Sequence, residues 1–220
     1  MKDLNQLLLN FDYKKNFTDD DFYVCESNHH AFKLLDNWPK WEKNFLNVSG
    51  AKCSGKSHMV DIFLKKFKGI KIDSKIFDED KLNKTDKYQN IILEDLSYDV
   101  NEKLLYTLIN IVERDNKFLI TTSLQPITEI IFKLEDLKSR TKNCLLAKIE
   151  NPDDELMFAL ILKNLSDRQI TLDKKLIDFI IKRVDRSYGK IFEFIYKIDS
   201  ISLKKKKSID FKIINEALED

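Results

Sequence analysis

The chain has 220 residues, 43% of them hydrophobic, more than the ~150 residues of one typical domain, so a main domain with a smaller appendage is expected. Its 38 Lys and Arg residues balance 37 Asp and Glu, and a net charge of +1 argues against a nucleic-acid-binding surface spread over the whole molecule. Three scattered cysteines (Cys25, Cys53, Cys144), no apolar run near the ~20 residues of a membrane helix and no secretory signal pattern point to a reduced, cytoplasmic protein without a membrane span or cysteine metal site.

Near the start, Gln6-Leu7-Leu8-Leu9-Asn10-Phe11 puts an amide ahead of apolar side chains, and a polar stretch follows. Such a segment can be an extended peptide ligand whose side chains dock in a partner's pockets, or the start of a helix that caps the chain's own core. Residues 22–25 are a short apolar run. Residues 28–35 have helical character, ended by Trp38-Pro39-Lys40-Trp41. A segment at this position can fold over a nucleotide base, with Tyr23 and Val24 as candidates. His29 and His30 are adjacent, so on a helix they diverge and read as surface residues rather than metal ligands.

Phe45, Leu46 and Val48 predict a buried strand, and Met59, Val60, Phe63, Leu64 and Phe67 recur at helical spacing. Between them Gly50-Ala51-Lys52-Cys53-Ser54-Gly55-Lys56-Ser57 matches the phosphate-loop pattern G-x-x-x-x-G-K-[ST] at each fixed position. The chemistry needs those residue types. The glycines let successive N–H groups converge on a polyphosphate, and the helix that follows turns the positive end of its dipole to the same anion. Lys56 would reach the outer phosphates and Ser57 would hold a magnesium ion. The chain has only 4 glycines, and two of them fall at this spacing, so a chance turn is a poor explanation.

Residues 69–77 alternate as a second strand, with Ile70 and Ile72 on one face, and residues 78–87 are a charged surface helix or loop. Ile91-Ile92-Leu93-Glu94-Asp95 reads as a buried parallel strand ending in two carboxylates. Parallel strands end at one edge of a sheet, which brings these acids beside the phosphate loop. One acid can serve magnesium and the other can orient a water. Leu104, Leu105, Leu108, Ile109 and Val112 mark the next helix. Phe118-Leu119-Ile120-Thr121-Thr122-Ser123 is a strand ending in hydroxyls, where Thr122 or Ser123 could sense a terminal phosphate. A helix is predicted over residues 127–137, before Lys138-Ser139-Arg140, and a last strand over 144–149.

From Pro152 the strand signals stop. Four apolar helical patterns follow, around Met157, Leu176, Ile191 and Phe211, with Asp210 as an N-cap, so residues 152–220 form a small helical module. Lys204 to Lys207 read as a solvated connection.

Together these features resemble an AAA+ ATPase of the DnaA type: an α/β P-loop NTPase fold with a parallel sheet, helices on both faces and a small all-α lid. More narrowly, the chain is similar to the Hda family, DnaA-related regulators of replication initiation, in the alphaproteobacterial form called HdaA. The resemblance rests on Asp21-Phe22-Tyr23-Val24 with Asn28, on residues 50–58, on Leu93-Glu94-Asp95, on Ile120-Thr121-Thr122-Ser123, on Leu137-Lys138-Ser139-Arg140 and on residues 152–165. It implies a flexible segment over 1–21, a nucleotide domain over 22–150 and a lid over 151–220, with no room left for the DNA-binding helix-turn-helix domain of the initiator.

The resemblance also implies a nucleotide site that includes Tyr23, Val24, Asn28, residues 50–57 and His58, holding ADP or ATP with Mg2+ on Ser57, Glu94 and Asp95. Gln6, Leu7, Leu9 and Phe11 match the sliding-clamp-binding peptide Q-L-x-L-x-F. Arg140 matches an arginine finger that promotes hydrolysis of ATP held by DnaA. The implied partners are DnaA, the DNA polymerase III beta clamp and a second copy of the chain, with DNA contact indirect or weak. Three positions depart from the family. Glu94 stands where initiators have Asp, an Asp is missing after Thr122-Ser123, and Gly189-Lys190 stands where a lid arginine senses nucleotide. Lys190 offers a point charge without the paired donors of a guanidinium.

Overall fold

A computed structural model of the chain describes residues 22–219. Strand β1 (Phe45–Gly50) is buried along its whole length, as expected for the middle of a parallel sheet covered on both faces. The other strands are β2 (Gly69–Asp73), β3 (Asn90–Leu96), β4 (Phe118–Ser123) and β5 (Leu145–Ile149), in the spatial order β2-β3-β4-β1-β5 and all parallel. Strand β4 is thus inserted between the strand that ends in the phosphate loop and the strand that ends in the two acids. All three strand ends share one edge of the sheet.

Helices α1 (Glu26–Asp36) and α2 (Lys56–Lys66) cover one face, where Ala31, Leu35, Met59, Val60 and Phe63 pack on Leu46, Val48, Ile92 and Ile120. Helices α3 (Glu79–Lys84), α4 (Glu102–Arg114) and α5 (Glu135–Thr141) lie on the other side. There Leu105, Leu108, Ile109 and Val112 of α4 bury against Ile91, Leu93 and Leu119. Each such aliphatic side chain contributes about 2 kcal/mol when fully buried. At the opposite edge of the sheet from the phosphate loop, Trp38 packs on Phe67 and Phe118 with ring centroids 4.4 and 5.5 Å apart.

After β5 come α6 (Asp154–Asp167), α7 (Lys174–Ile181), α8 (Tyr188–Lys205) and α9 (Phe211–Glu219), which enclose a core of their own around Met157, Ile161, Ile180, Ile195, Ile198 and Ile214. Side-chain caps start several helices: Asp78 accepts from the Lys81 N–H, Asn101 from Leu104, Asp153 from Leu156 and Asp210 from Ile213. The predicted cap at Asp210 is present. No helix among the described residues is long and apolar enough to cross a membrane.

The structure corrects three local expectations. The helix predicted over 127–137 is instead a single 3-10 turn (Ile127–Glu129), an extended stretch and then α5. The extended stretch alternates: Ile130 and Phe132 are buried and Ile131 is exposed. Its backbone is held from outside, because the Glu102 carboxylate accepts from the Lys133 N–H at 2.9 Å and from the Leu134 N–H at 2.7 Å. A tertiary anchor therefore overrides a helical apolar pattern. Strand β2 stops at Asp73, where the Asp73 side chain caps a 3-10 turn. Lys204 and Lys205 end α8, and the left-handed Lys206 (φ 52°) closes it, so the lysine run is only partly a connection.

Candidate nucleotide site

The phosphate loop is built by close approach. A Cβ on Gly50 would stand 2.8 Å from Ser54 Oγ and 3.0 Å from Ile149 Cβ, so the end of β1 has no space for a side chain. The chain then turns through two left-handed residues, Cys53 (φ 66°) and Gly55 (φ 91°), and α2 begins at Lys56. Gly55 adopts this conformation at no steric cost, whereas Cys53 is strained by about 1–2 kcal/mol. Ala51, Lys52 and Cys53 are exposed, and Ser54 Oγ is buried without a hydrogen-bond partner among the described residues.

Lys56 is only 7% exposed, and its ammonium donates to the carbonyls of Gly50 (2.7 Å) and Ala51 (2.8 Å). Burial holds this lysine below the usual range, and the negative charges of Asp95 and Glu94 offset part of the shift. The phosphate-loop lysine and the two acids thus form one electrostatic site. Ser57 is exposed on the first turn of α2, and His58 is buried with its ring edge-on to Phe22 at 5.2 Å.

The acids are aimed by a break in the sheet. Pairing between β3 and β4 slips between Leu93 and Leu96, and Asp95 is left-handed (φ 53°). The Asp95 N–H donates to Thr122 Oγ1 at 3.0 Å, and the Asp95 carbonyl accepts from Ser74 Oγ at 2.8 Å. Thr122 therefore acts on the site by holding the bulge that exposes Asp95. Glu94 Oε2 lies 3.4 Å from Lys71 Nζ, while Oε1 is buried without a partner among the described residues.

Ser57, Glu94 and Asp95 fit Mg2+, which takes hard oxygen donors; it binds through one or two carboxylates plus substrate phosphates rather than in an all-protein cage. Among the described residues no cluster of three His, Cys, Asp or Glu able to hold a metal occurs.

Ser123 is engaged otherwise. Its hydroxyl donates to the Gln125 carbonyl at 2.6 Å and accepts from Asn47 Nδ2 at 3.0 Å. Asn47, fully buried in β1, also donates to Thr121 Oγ1 (3.0 Å) and accepts from the Ile127 N–H (3.0 Å). It ties the end of β4 and the turn beyond it to the neighbouring strand β1. Sequence reasoning missed this residue, although an amide inside the run Phe45-Leu46-Asn47-Val48 was a signal, since a buried amide needs partners.

At the base-binding segment, Tyr23 and Val24 are exposed and Asn28 is buried. Both ends of the Asn28 amide are used within the chain: Oδ1 accepts from the Cys25 N–H (3.0 Å) and Nδ2 donates to the Tyr23 carbonyl (2.9 Å). Asn28 thus shapes the segment that carries Tyr23 and Val24. The Tyr23 hydroxyl donates to the Glu155 carboxylate of α6. Tyr188, at the start of α8, donates to the Glu150 carbonyl at 3.1 Å, and burial pushes its hydroxyl up to about 12, keeping it a neutral donor. These two tyrosines join the helical module to the nucleotide edge, and neither Glu155 nor Tyr188 was singled out from the sequence.

Lys190 pairs with Glu193 on the surface of α8 at 3.0 Å. A Cβ on the neighbouring Gly189 would meet only Ser187 Oγ, at 4.0 Å.

Arg140 is not with the other site residues. It sits on α5 in an ion pair with Glu113, beside the last turns of α4, where it lines a surface hollow with Thr107, Asn110, Ile111 and Arg114. Helix α4 starts at the phosphate edge and runs back across the sheet, so Glu113 lies roughly 17 Å along its axis from Glu102. The Arg140 side chain is 42% exposed. The segment with Gln6, Leu7, Leu9 and Phe11 lies outside the described residues.

No family profile matches the chain. Among curated proteins it is similar to the chromosomal replication initiator protein DnaA of Caldanaerobacter subterraneus subsp. tengcongensis, 24% identical over 231 aligned positions that cover 93% of this chain and 52% of the relative. It is also similar to DnaA of Buchnera aphidicola subsp. Cinara cedri, 24% identical over 241 positions, covering 97% and 55%. The chain spans about half the length of these relatives.

Among solved structures, domain III of the Thermotoga maritima replication initiation protein DnaA superposes with a TM-score of 0.73 at 19% identity, covering 91% of this chain and 95% of that one. A replication initiator DnaA bound to AMPPCP and single-stranded DNA gives 0.67 at 19% identity, covering 85% and 67%. The Thermotoga maritima RuvB Holliday junction branch migration motor gives 0.68 at 13% identity, covering 92% and 71%. The chain therefore has the α/β AAA+ fold, and its sequence is similar to about half of DnaA over nearly the whole length of the chain.

Proposed function

We propose that this chain is a nucleotide-holding regulator of the Hda type, which docks on the DNA-loaded sliding clamp and promotes hydrolysis of the ATP bound to DnaA. It binds ADP or ATP through residues 50–58, with Tyr23 and Val24 against the base and Ser57, Glu94 and Asp95 toward Mg2+. When bound, that ion would neutralise phosphate charge; the chain's own groups do the rest. Lys56 leaves the loop carbonyls for the outer phosphates, Thr122 keeps Asp95 exposed, and α2 directs its N-terminus at the anion.

The observation that carries the regulatory reading is the position of Arg140. It stands apart from the chain's own phosphate loop, half exposed and paired with the surface carboxylate of Glu113, as suits a guanidinium delivered to another subunit's triphosphate. Gln6, Leu7, Leu9 and Phe11 supply the clamp-docking peptide, and the chain's own hydrolysis is slow.

The test is turnover of DnaA-bound ATP with and without this chain, in the presence of clamp loaded on DNA. A rise that needs both chain and clamp, and is lost when Gln6→Ala and Leu9→Ala are combined, is expected. Turnover unchanged by the chain would reject the regulatory role. A second reading, a DnaA-like DNA-binding or helicase-loading adaptor, draws support from the single-stranded DNA held by one of the structural neighbours. Tight, steeply salt-dependent binding of single strands by the isolated chain would favour it.

The lid offers a further test. Gly189 has open space beyond its Cα, so Gly189→Arg is expected to be accommodated without a clash. It should tighten ATP relative to ADP by about tenfold, the scale of one charge-assisted hydrogen bond. Parallel titrations of fluorescent ATP and ADP analogues read this directly, and equal affinities would separate this position from the terminal phosphate.

A further inference from the structure

Strand β2 carries an ammonium beside the acid at the end of β3. Lys71 Nζ lies 2.5 Å from Asp61 Oδ1 and 3.4 Å from Glu94 Oε2, so one side chain links α2, which follows the phosphate loop, to the double-acid strand. The register explains the reach. Lys71 pairs with Ile92 and Asp73 with Glu94, so Lys71 and Glu94 project from the same face of the sheet. That is the face covered by α2, where Ile92 packs with Val60 and Phe63.

Glu94 is left half compensated. One oxygen has a loosely held ammonium, and the other, Oε1, is buried with no hydrogen-bond partner among the described residues. A buried carboxylate oxygen without a donor is costly, and a cation arriving with nucleotide would relieve it. Two carboxylates within 3.4 Å both favour the charged ammonium. An edge-strand lysine can also discourage strand pairing, yet that role needs neither carboxylate.

We propose that Lys71 is a built-in counter-ion that competes with the nucleotide-borne divalent cation for Glu94, so that this chain holds nucleotide with little dependence on Mg2+. The inference rests on the reading of residues 50–58 as a nucleotide site. Lys71 is a positioning residue: it touches Glu94, not the nucleotide. Asp61 sets the balance, because it draws the same ammonium the other way.

The experiment titrates Mn2+ into the ADP complex of the whole chain and follows free Mn2+ by electron paramagnetic resonance. Lys71→Met should raise Mn2+ affinity about tenfold, the scale expected when one nearby charge is removed at a partly screened site. Lys71→Arg should leave it near wild type. Asp61→Asn should move it the other way, weakening Mn2+ several-fold, because the ammonium loses its rival and settles on Glu94. Equal or weaker Mn2+ binding by Lys71→Met, with ADP affinity intact, overturns the proposal. Failure of the wild-type chain to bind ADP at all would instead bring down the nucleotide-site reading, and this inference with it.

Discussion

Lys56→Ala is expected to lower the affinity for both ADP and ATP by about 100-fold while leaving the fold in place. The ammonium is buried within the phosphate loop, where the carbonyls of Gly50 and Ala51 accept from it at 2.7 and 2.8 Å. On binding it exchanges those carbonyls for phosphate oxygens. Charge-assisted hydrogen bonds of this kind are worth about 1.5–3 kcal/mol each, so losing their sum costs roughly two decades of affinity. The cost to the fold is smaller, because the substitution removes a desolvated charge along with its two bonds. Calorimetric titration with ADP checks the first part and a thermal melt the second. An affinity within about threefold of wild type would mean that residues 50–57 do not hold phosphate.

Arg140→Ala is expected to keep nucleotide affinity and clamp binding and to lose the stimulation of DnaA-bound ATP hydrolysis, on the order of 10³-fold if the group acts as arginine fingers do elsewhere. The separation follows from where the side chain lies. Its partner within the chain is Glu113, in a pair that is about 40% exposed on both sides, and such surface pairs contribute ~0–1 kcal/mol. Removing it should therefore leave stability almost unchanged. Arg140→Lys keeps the charge but not the planar fork and should restore little. Full stimulation by the alanine variant would show that the finger is another residue.

Both expectations draw on residues legible in the sequence, and for a common reason: the motif residues answer to local chemistry. The spacing of Gly50 and Gly55 follows from a backbone that must curl around an anion, and Glu94-Asp95 ends an apolar run that can only be a buried strand. Residues whose roles depend on distant parts of the chain were not legible. Asn47 meets Thr121, Ser123 and Ile127 only once β1 and β4 are paired. Glu102 anchors Lys133 and Leu134 from 31 and 32 positions away in sequence and so turns an apparent helix into an extended stretch. Thr122 looked like a phosphate sensor, and the structure shows what it binds within the chain, the N–H of Asp95.

By itself, then, the sequence determined the alternation of strands and helices, the phosphate loop, the double acid and the change to an all-helical pattern after Pro152. All of these are written in periodicity and short-range spacing. Only the tertiary structure decided that β4 enters between β1 and β3, that Lys71 reaches both Asp61 and Glu94, and that Arg140 lies well along α4 from the phosphate edge. Those facts depend on which strands become neighbours and which way each helix crosses the sheet. Pairing and crossing are settled by burial summed over the whole core, and no single stretch of residues encodes that sum.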